Sequence, residues 1–206
     1  MKIPGGYIVA IEGIDAVGKN THSLQLCEWL AKKGVNAVCI SFPDYDTPIG
    51  KQIKLFLSGG KSYPAEVRHL LFAANRWEKY DEIKSALQAG EAIIIDRYSE
   101  SNLAYGRANG LDADWLANLE KGLPRANLVI VLDAPVLSLG SRRPGSTKDA
   151  YERSSTLQAR AKRIYRELAR KRGWRLIDAA GSVEGVQAAV LEAMRAALEK
   201  DRGISI

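Results

Sequence analysis

The stretch "GIDAVGKNT", residues 13–21, sets two glycines and a lysine at a spacing suited to phosphate chemistry. Gly13, Gly18 and Lys19 satisfy G-x-x-x-x-G-K, where glycines let backbone N–H groups close around phosphate oxygens. An apolar run, "YIVAI" (7–11), leads directly into the loop and a helical pattern leaves it, so a helix N-terminus would add positive potential. Gly13, Ile14, Asp15, Ala16, Val17, Gly18, Lys19, Asn20 and Thr21 are therefore candidate triphosphate-binding residues, with Lys19 reaching the β/γ oxygens. Asn20 stands where the motif wants a hydroxyl for Mg²⁺. Its amide oxygen is a neutral donor of longer reach. Alternatively water, phosphates and a carboxylate such as Asp15 hold the metal. The rival reading is an ordinary Gly-rich turn between strand and helix.

A second constellation follows "AIIID" (92–96): the run ends in Asp96-Arg97-Tyr98. Ligands of open parallel sheets bind beyond the carboxyl ends of strands. An Asp–Arg pair there could position Mg²⁺ and clamp a phosphate, or could be a structural ion pair.

The elements that must hold these groups read as alternating strands and helices. Strands are expected at 7–11, 35–42, 92–96, 128–133 and 174–178. They lack strict alternation, so they read as buried on both faces. Helices are expected at 20–33, 48–58, 64–89, about 98–108, 112–122, 150–171 and 183–200. In the last, Val183, Val186, Val190, Met194 and Ala197 form one apolar stripe. The pattern predicts an α/β fold, a five-stranded parallel sheet flanked by helices, as a single domain over 1–206.

The chain has 206 residues, 46% hydrophobic and 26% charged, with no run of the ~20 apolar residues a membrane span needs. The N-terminus does not read as a signal peptide. Cys27 and Cys39 form no disulfide framework and are expected as buried thiols in a reducing cytoplasm. His22 and His69 stand alone and read as packing or surface residues. The net charge is +6, yet residues 142–175 hold twelve Lys/Arg against three Asp/Glu, so the remainder is net acidic. A polyphosphate or nucleic acid would suit such a patch. "GSRRPGSTKDAYERS" (140–154) has the composition of a loop and could be a lid at about 138–152. Beyond it, Arg163, Arg166 and Arg170 recur at helical spacing opposite Leu157, Ile164, Tyr165 and Leu168, which reads as a solvated helix face rather than a nucleic-acid surface.

"EGIDAVGKNTH", "SFPDY" (41–45), "LLFAANRWE" (70–78), "DRYSESNLAYG" (96–106) and "KDAYERS" (148–154), in this order and at these separations, closely resemble thymidylate kinases over residues 7 to about 165. The resemblance implies a P-loop NTPase of the nucleoside monophosphate kinase fold. It implies transfer of the ATP γ-phosphoryl to dTMP with Mg²⁺, giving ADP and dTDP for dTTP synthesis, in a cytoplasmic homodimer. Phe72 matches the aromatic that stacks on thymine, and Arg76, one helical turn on, the arginine that donates to its O4. Ser101 and Asn102 match polar contacts to the base, and Tyr105 the aromatic that disfavours a 2′-hydroxyl. Phe42, Pro43 and Tyr45 match the loop lining the dTMP pocket. Arg97 matches the arginine on the acceptor phosphate, and Asp15 the carboxylate near the sugar 3′-hydroxyl and the metal. Asp149, Tyr151 and Glu152 match residues flanking the lid. Some members carry an arginine in the P-loop after the Asp. Here that position is Ala16, while the lid holds Arg142, Arg143 and Lys148, so the chain resembles the lid-arginine type, with Arg142 and Arg143 as the candidate transition-state stabilisers. Catalysis is thus expected from Lys19, Asp15, Arg97, Arg142 and Arg143, and metal binding from Asn20, Asp15 and Asp96. The rivals are a kinase for UMP or CMP, against which Arg76 and Tyr105 argue, and a non-catalytic P-loop protein that binds nucleotide or RNA.

Overall fold

Apolar runs with no polar side become the centre of the sheet, because a strand between two neighbours and two helical layers has no face left for water. The computed structural model describes residues 1–135 and 154–206. Its five strands are β1 (Tyr7–Glu12), β2 (Ala37–Ser41), β3 (Ala92–Asp96), β4 (Leu128–Asp133) and β5 (Arg175–Asp178). All pair in parallel, in the order β2-β3-β1-β4-β5. β1 and β3 are buried at every position. β2 and β5 correct the expectation of two buried faces. They are the edge strands, and Cys39, Arg175 and Leu176 lie exposed on them.

Helix α1 (Lys19–Lys32) packs on β1, β2 and β3, and α8 (Val183–Arg202) on β4, β5 and α1. Helix α5 (Ser99–Ala108) packs on β1, and α7 (Ser155–Arg172) on α5, β4 and β5. Val186, Val190 and Met194 bury the α8 stripe, whereas Val183 is 49% exposed, because it opens the helix where the chain still faces solvent. On α7 the split expected from sequence holds for all but one residue: Ile164, Tyr165 and Leu168 are buried and Arg163, Arg166 and Arg170 exposed, while Leu157, in the first turn, is only half-buried.

The expected helix at 64–89 is two helices, α3 (Ala65–Trp77) and α4 (Tyr80–Ala89). No Gly or Pro marks the break. Tertiary bonds hold the chain at the break: Trp77 Nε1 donates to Leu119 O, Glu78 accepts from the Ile49 N–H, and Lys79 pairs with Asp44 at 2.9 Å. Helix α2 (Pro48–Leu57) begins under a Thr47 cap with Pro at its first position. Helix α6 (Ala113–Leu119) is capped by Asp112.

Cys27 on α1 and Cys39 on β2 form a disulfide, their Cα atoms 6.5 Å apart. This corrects the expectation of buried thiols. The α1–β2 connection folds the chain straight back, so two positions 12 apart in sequence face one another at the sheet edge.

Candidate active site

Strand register builds the site. Ile11 of β1 lies opposite Asp96 of β3, and Ser41 of β2 lies opposite the same residue. The chain segments leaving these strands are therefore neighbours: the loop 13–18, Arg97 and Phe42-Pro43. They open into a cleft of about 380 Å³, completed by residues of α3 and α5.

The loop needs its glycines. Gly13 has φ +136°, and a Cβ there would meet Leu132 O at 2.5 Å. Gly18 has φ +97° and feeds the chain into α1. Ile14 and Val17 face the core, while Asp15, Ala16, Gly18, Lys19, Asn20 and Thr21 line the cleft. Lys19 is buried and donates from Nζ to Ile14 O at 2.7 Å, so the ammonium lies back over its own loop. Burial pushes Lys19 down to about 8, aided by the nearby Arg97 charge and opposed by Asp96, Asp15 and Glu12.

Arg97 has φ +66°, a left-handed conformation costly for a side chain of this size. It is held by its N–H on Ile11 O at 3.1 Å, by Nη1 on Gly13 O at 3.3 Å and by an ion pair with Asp15. Its guanidinium sits 5.4 Å from the Tyr105 ring centre. Burial acts to raise the Asp15 pKa, but Arg97, Lys19 and hydrogen bonds from Gln158 and Tyr105 prevail and lower it. Gln158 of α7 donates to Asp15 Oδ2 and accepts from the Asp15 N–H, tying α7 to the phosphate loop.

The other wall carries Phe42, Pro43, Tyr45, Phe72, Arg76, Ser101, Asn102 and Tyr105. Phe72 is half-buried, set edge-on to Phe56 (5.6 Å) and His69 (5.7 Å). Arg76 is 2% exposed and forms a two-pronged pair with Glu120: Nε donates to Oε2 at 2.9 Å and Nη2 to Oε1. Ser101 and Asn102 both line the cleft, and their polar atoms are bonded to protein. Ser101 Oγ donates to Glu12 Oε2 at 2.6 Å. Asn102 donates from Nδ2 to Glu120 Oε1 at 2.8 Å and accepts at Oδ1 from His69 at 2.6 Å.

Comparison with known proteins gives the family. A family model described as thymidylate kinase matches residues 11–190. The thymidylate kinase of Homo sapiens is 33% identical over 205 residues, covering 96% of each chain. A probable thymidylate kinase of Thermococcus onnurineus is 40% identical over 191 residues, covering 86% of this chain and 92% of that one. The solved thymidylate kinase of Candida albicans superposes with a TM-score of 0.82 at 31% identity, over 93% of this chain and 92% of that chain. This chain belongs to the thymidylate kinase family.

The donor set suits a magnesium ion delivered by phosphates better than a resident one. Among the described residues no group of three or more His, Cys, Asp or Glu side chains could hold a metal. Asp15 has both oxygens engaged by Arg97, Gln158 and Tyr105. Asp96 and Asn20 also line the cleft and carry oxygens of the kind Mg²⁺ takes, commonly one or two such ligands plus phosphate and water. Among the described residues no helix is long and apolar enough to cross a membrane.

Arg142, Arg143, Lys148, Asp149, Tyr151 and Glu152 lie outside the described residues, as does the whole of the lid expected at about 138–152. Sequence reasoning missed Glu12, Gln158 and Glu120. Glu12 did leave a signal, a carboxylate ending an otherwise apolar strand beside the loop. His22 and His69 are buried and bonded to Gln187 and Asn102, as packing residues are.

Proposed function

We propose that this chain transfers the γ-phosphoryl of ATP·Mg²⁺ to dTMP, giving ADP and dTDP for dTTP synthesis. The observation carrying this reading is that one cleft joins the Lys19 loop to the Phe72–Arg76 wall, with the Asp15–Arg97 pair between their elements. Lys19 and the loop N–H groups bind the donor phosphates. Phe72 stacks on thymine, Arg76 donates to its O4, and Tyr105 excludes a 2′-hydroxyl. Arg97 holds the acceptor phosphate, and Asp15 accepts from the 3′-hydroxyl. Asp96 and Asn20 ligate Mg²⁺ directly or through water. The Mg²⁺ they would hold would supply positive charge to the donor phosphates. Arg142 and Arg143 add positive charge to the moving phosphoryl group, and Asp149, Tyr151 and Glu152 close over the nucleotide. Such transfer asks the protein for positioning and electrostatics rather than covalent chemistry.

The homodimer and cytoplasmic location implied by family resemblance belong to the same proposal. Leu70 and Trp77, exposed on α3, would suit a subunit contact, which sedimentation would detect. The deciding experiment is an ADP-release assay with dTMP, dUMP, dCMP, UMP and thymidine as acceptors. We expect dTMP to be preferred and Lys19→Ala to abolish turnover. Another preferred acceptor, or turnover intact in Lys19→Ala, would refute the reading.

A further inference from the structure

We propose that Glu120 is a specificity-positioning residue, which clamps the Arg76 guanidinium so that its Nη1 edge selects an acceptor base bearing a carbonyl. The inference rests on the reading that Arg76 faces the acceptor base, and deepens it.

The clamp is built from four side chains in sequence. Arg76 gives Nε and Nη2 to the two oxygens of Glu120, a fork-to-fork pair that fixes the guanidinium plane as well as its position. Nη1 is the guanidinium nitrogen with no partner among the described residues, and Arg76 lines the cleft. Two N–H donors are thus offered at one edge. They match a ring carbonyl and oppose an amino group, which would set donor against donor.

Glu120 is itself held. Asn102 donates to Oε1 at 2.8 Å and to His69 O at 3.2 Å, so the Asn102 amide nitrogen faces this side and Oδ1 faces His69 Nδ1. Nδ1 must therefore carry the imidazole proton, leaving Nε2 to accept from Asn109 Nδ2 at 3.2 Å. Burial keeps this imidazole neutral, its pKa pushed down to about 4. The donors run in one direction, Asn109 to His69 to Asn102 to Glu120, and end on the carboxylate that Arg76 needs. The backbone is pinned as well: Trp77 Nε1, one residue past Arg76, donates to Leu119 O, one residue before Glu120, at 3.0 Å. Every one of these bonds lies within the protein, so the orientation of the recognising edge does not depend on the base it meets.

Without Glu120, a guanidinium 2% exposed would be left unpaired and free to turn towards any carboxylate within reach. The test compares Glu120→Gln, Arg76→Ala and the double variant, with dTMP and dCMP as acceptors and thermal unfolding as a check on folding. Glutamine keeps the shape and the Asn102 bond but loses the charged fork. We expect Glu120→Gln to raise the KM for dTMP roughly ten- to a hundredfold. The KM for ATP should stay as it was, and the preference for dTMP over dCMP should narrow by at least about tenfold. Arg76→Ala should do the same, and the double variant should be no worse than Arg76→Ala alone. If Glu120→Gln keeps both the dTMP KM and the preference while Arg76→Ala loses them, the clamp is refuted and base reading by Arg76 stands. If Arg76→Ala keeps the preference, base reading by Arg76 fails, and the clamp with it.

Discussion

Arg97 and Asp15, 82 residues apart in sequence, form an ion pair at the carboxyl ends of two paired strands. The pair binds the acceptor-side arginine to the phosphate loop, so neither group is free to settle alone. Arg97 also pays for a left-handed backbone, and that strain persists because the Ile11, Gly13 and Asp15 contacts over-determine it.

Arg97→Lys should therefore cost activity out of proportion to charge. Lysine keeps the cation but loses the fork that reaches Gly13 O and the Asp15 carboxylate together. We expect kcat/KM for dTMP to fall roughly 10²–10³-fold, the scale of losing one preorganised donor to a reacting group. Steady-state kinetics on the folded variant would measure it. A fall under threefold would mean that charge alone suffices.

His69 predicts acid instability. Burial, then the Arg68 and Arg76 charges, push its pKa down to about 4 against the Asn102 bond, while the unfolded chain titrates near 6.5. Between those values the unfolded state holds the extra proton, so stability falls as pH drops from about 6.5 towards 4 and is flat in this respect above. The full effect is about 3 kcal/mol. His69→Gln should flatten the slope of unfolding free energy across that window. An unchanged slope would assign it to other groups.

Much of this was legible because motifs are local. The loop 13–21, Asp96-Arg97, and Phe72 with Arg76 one turn on are each contained in a few residues. The sheet was legible because β1, β3 and β4 are unbroken apolar runs. The partners of those motifs were not. Gln158 meets Asp15 across 143 residues and Glu120 meets Arg76 across 44, and no local spacing encodes either. The break at Glu78-Lys79 escaped for the same reason, since α2 and α6 supply its bonds. Nor does a spacing of 12 announce a disulfide, because it requires knowing that α1 returns along β2.

That disulfide should be measurable in the melting temperature. Closing 13 residues removes unfolded-state entropy worth about 3 kcal/mol in the loop-closure account. For a chain of this size, reduction should lower Tm by roughly 6–12 °C, and Cys27→Ser should match it without reductant. Cys39 lies exposed on an edge strand, so a mild reductant should reach the bond. Equal melting with and without reductant would show that the crosslink adds no stability.

Glu12 offers the sharpest test of how the core supports the site. It is fully buried, between β1 and the loop. Oε1 accepts from the Tyr98 N–H at 2.7 Å, and Oε2 from Ser101 Oγ at 2.6 Å and Tyr165 OH at 2.8 Å. Burial raises its pKa, and these three bonds work against the rise. Tyr98 directly follows the strained Arg97, so Glu12 anchors the start of α5 from within the core. Glu12→Ala strands three donors and opens a cavity, which should cost about 3 kcal/mol or more. Glu12→Gln should cost much less. Its oxygen can keep the Tyr98 bond, and the Ser101 and Tyr165 hydroxyls can turn to accept from its amide. Thermal unfolding would rank the variants wild type, Gln, Ala. The KM for dTMP should follow the same order, since loosening Tyr98 loosens Arg97. If Glu12→Gln were as unstable as Glu12→Ala, the carboxylate charge, and not its hydrogen-bond geometry, would be what holds α5 in place.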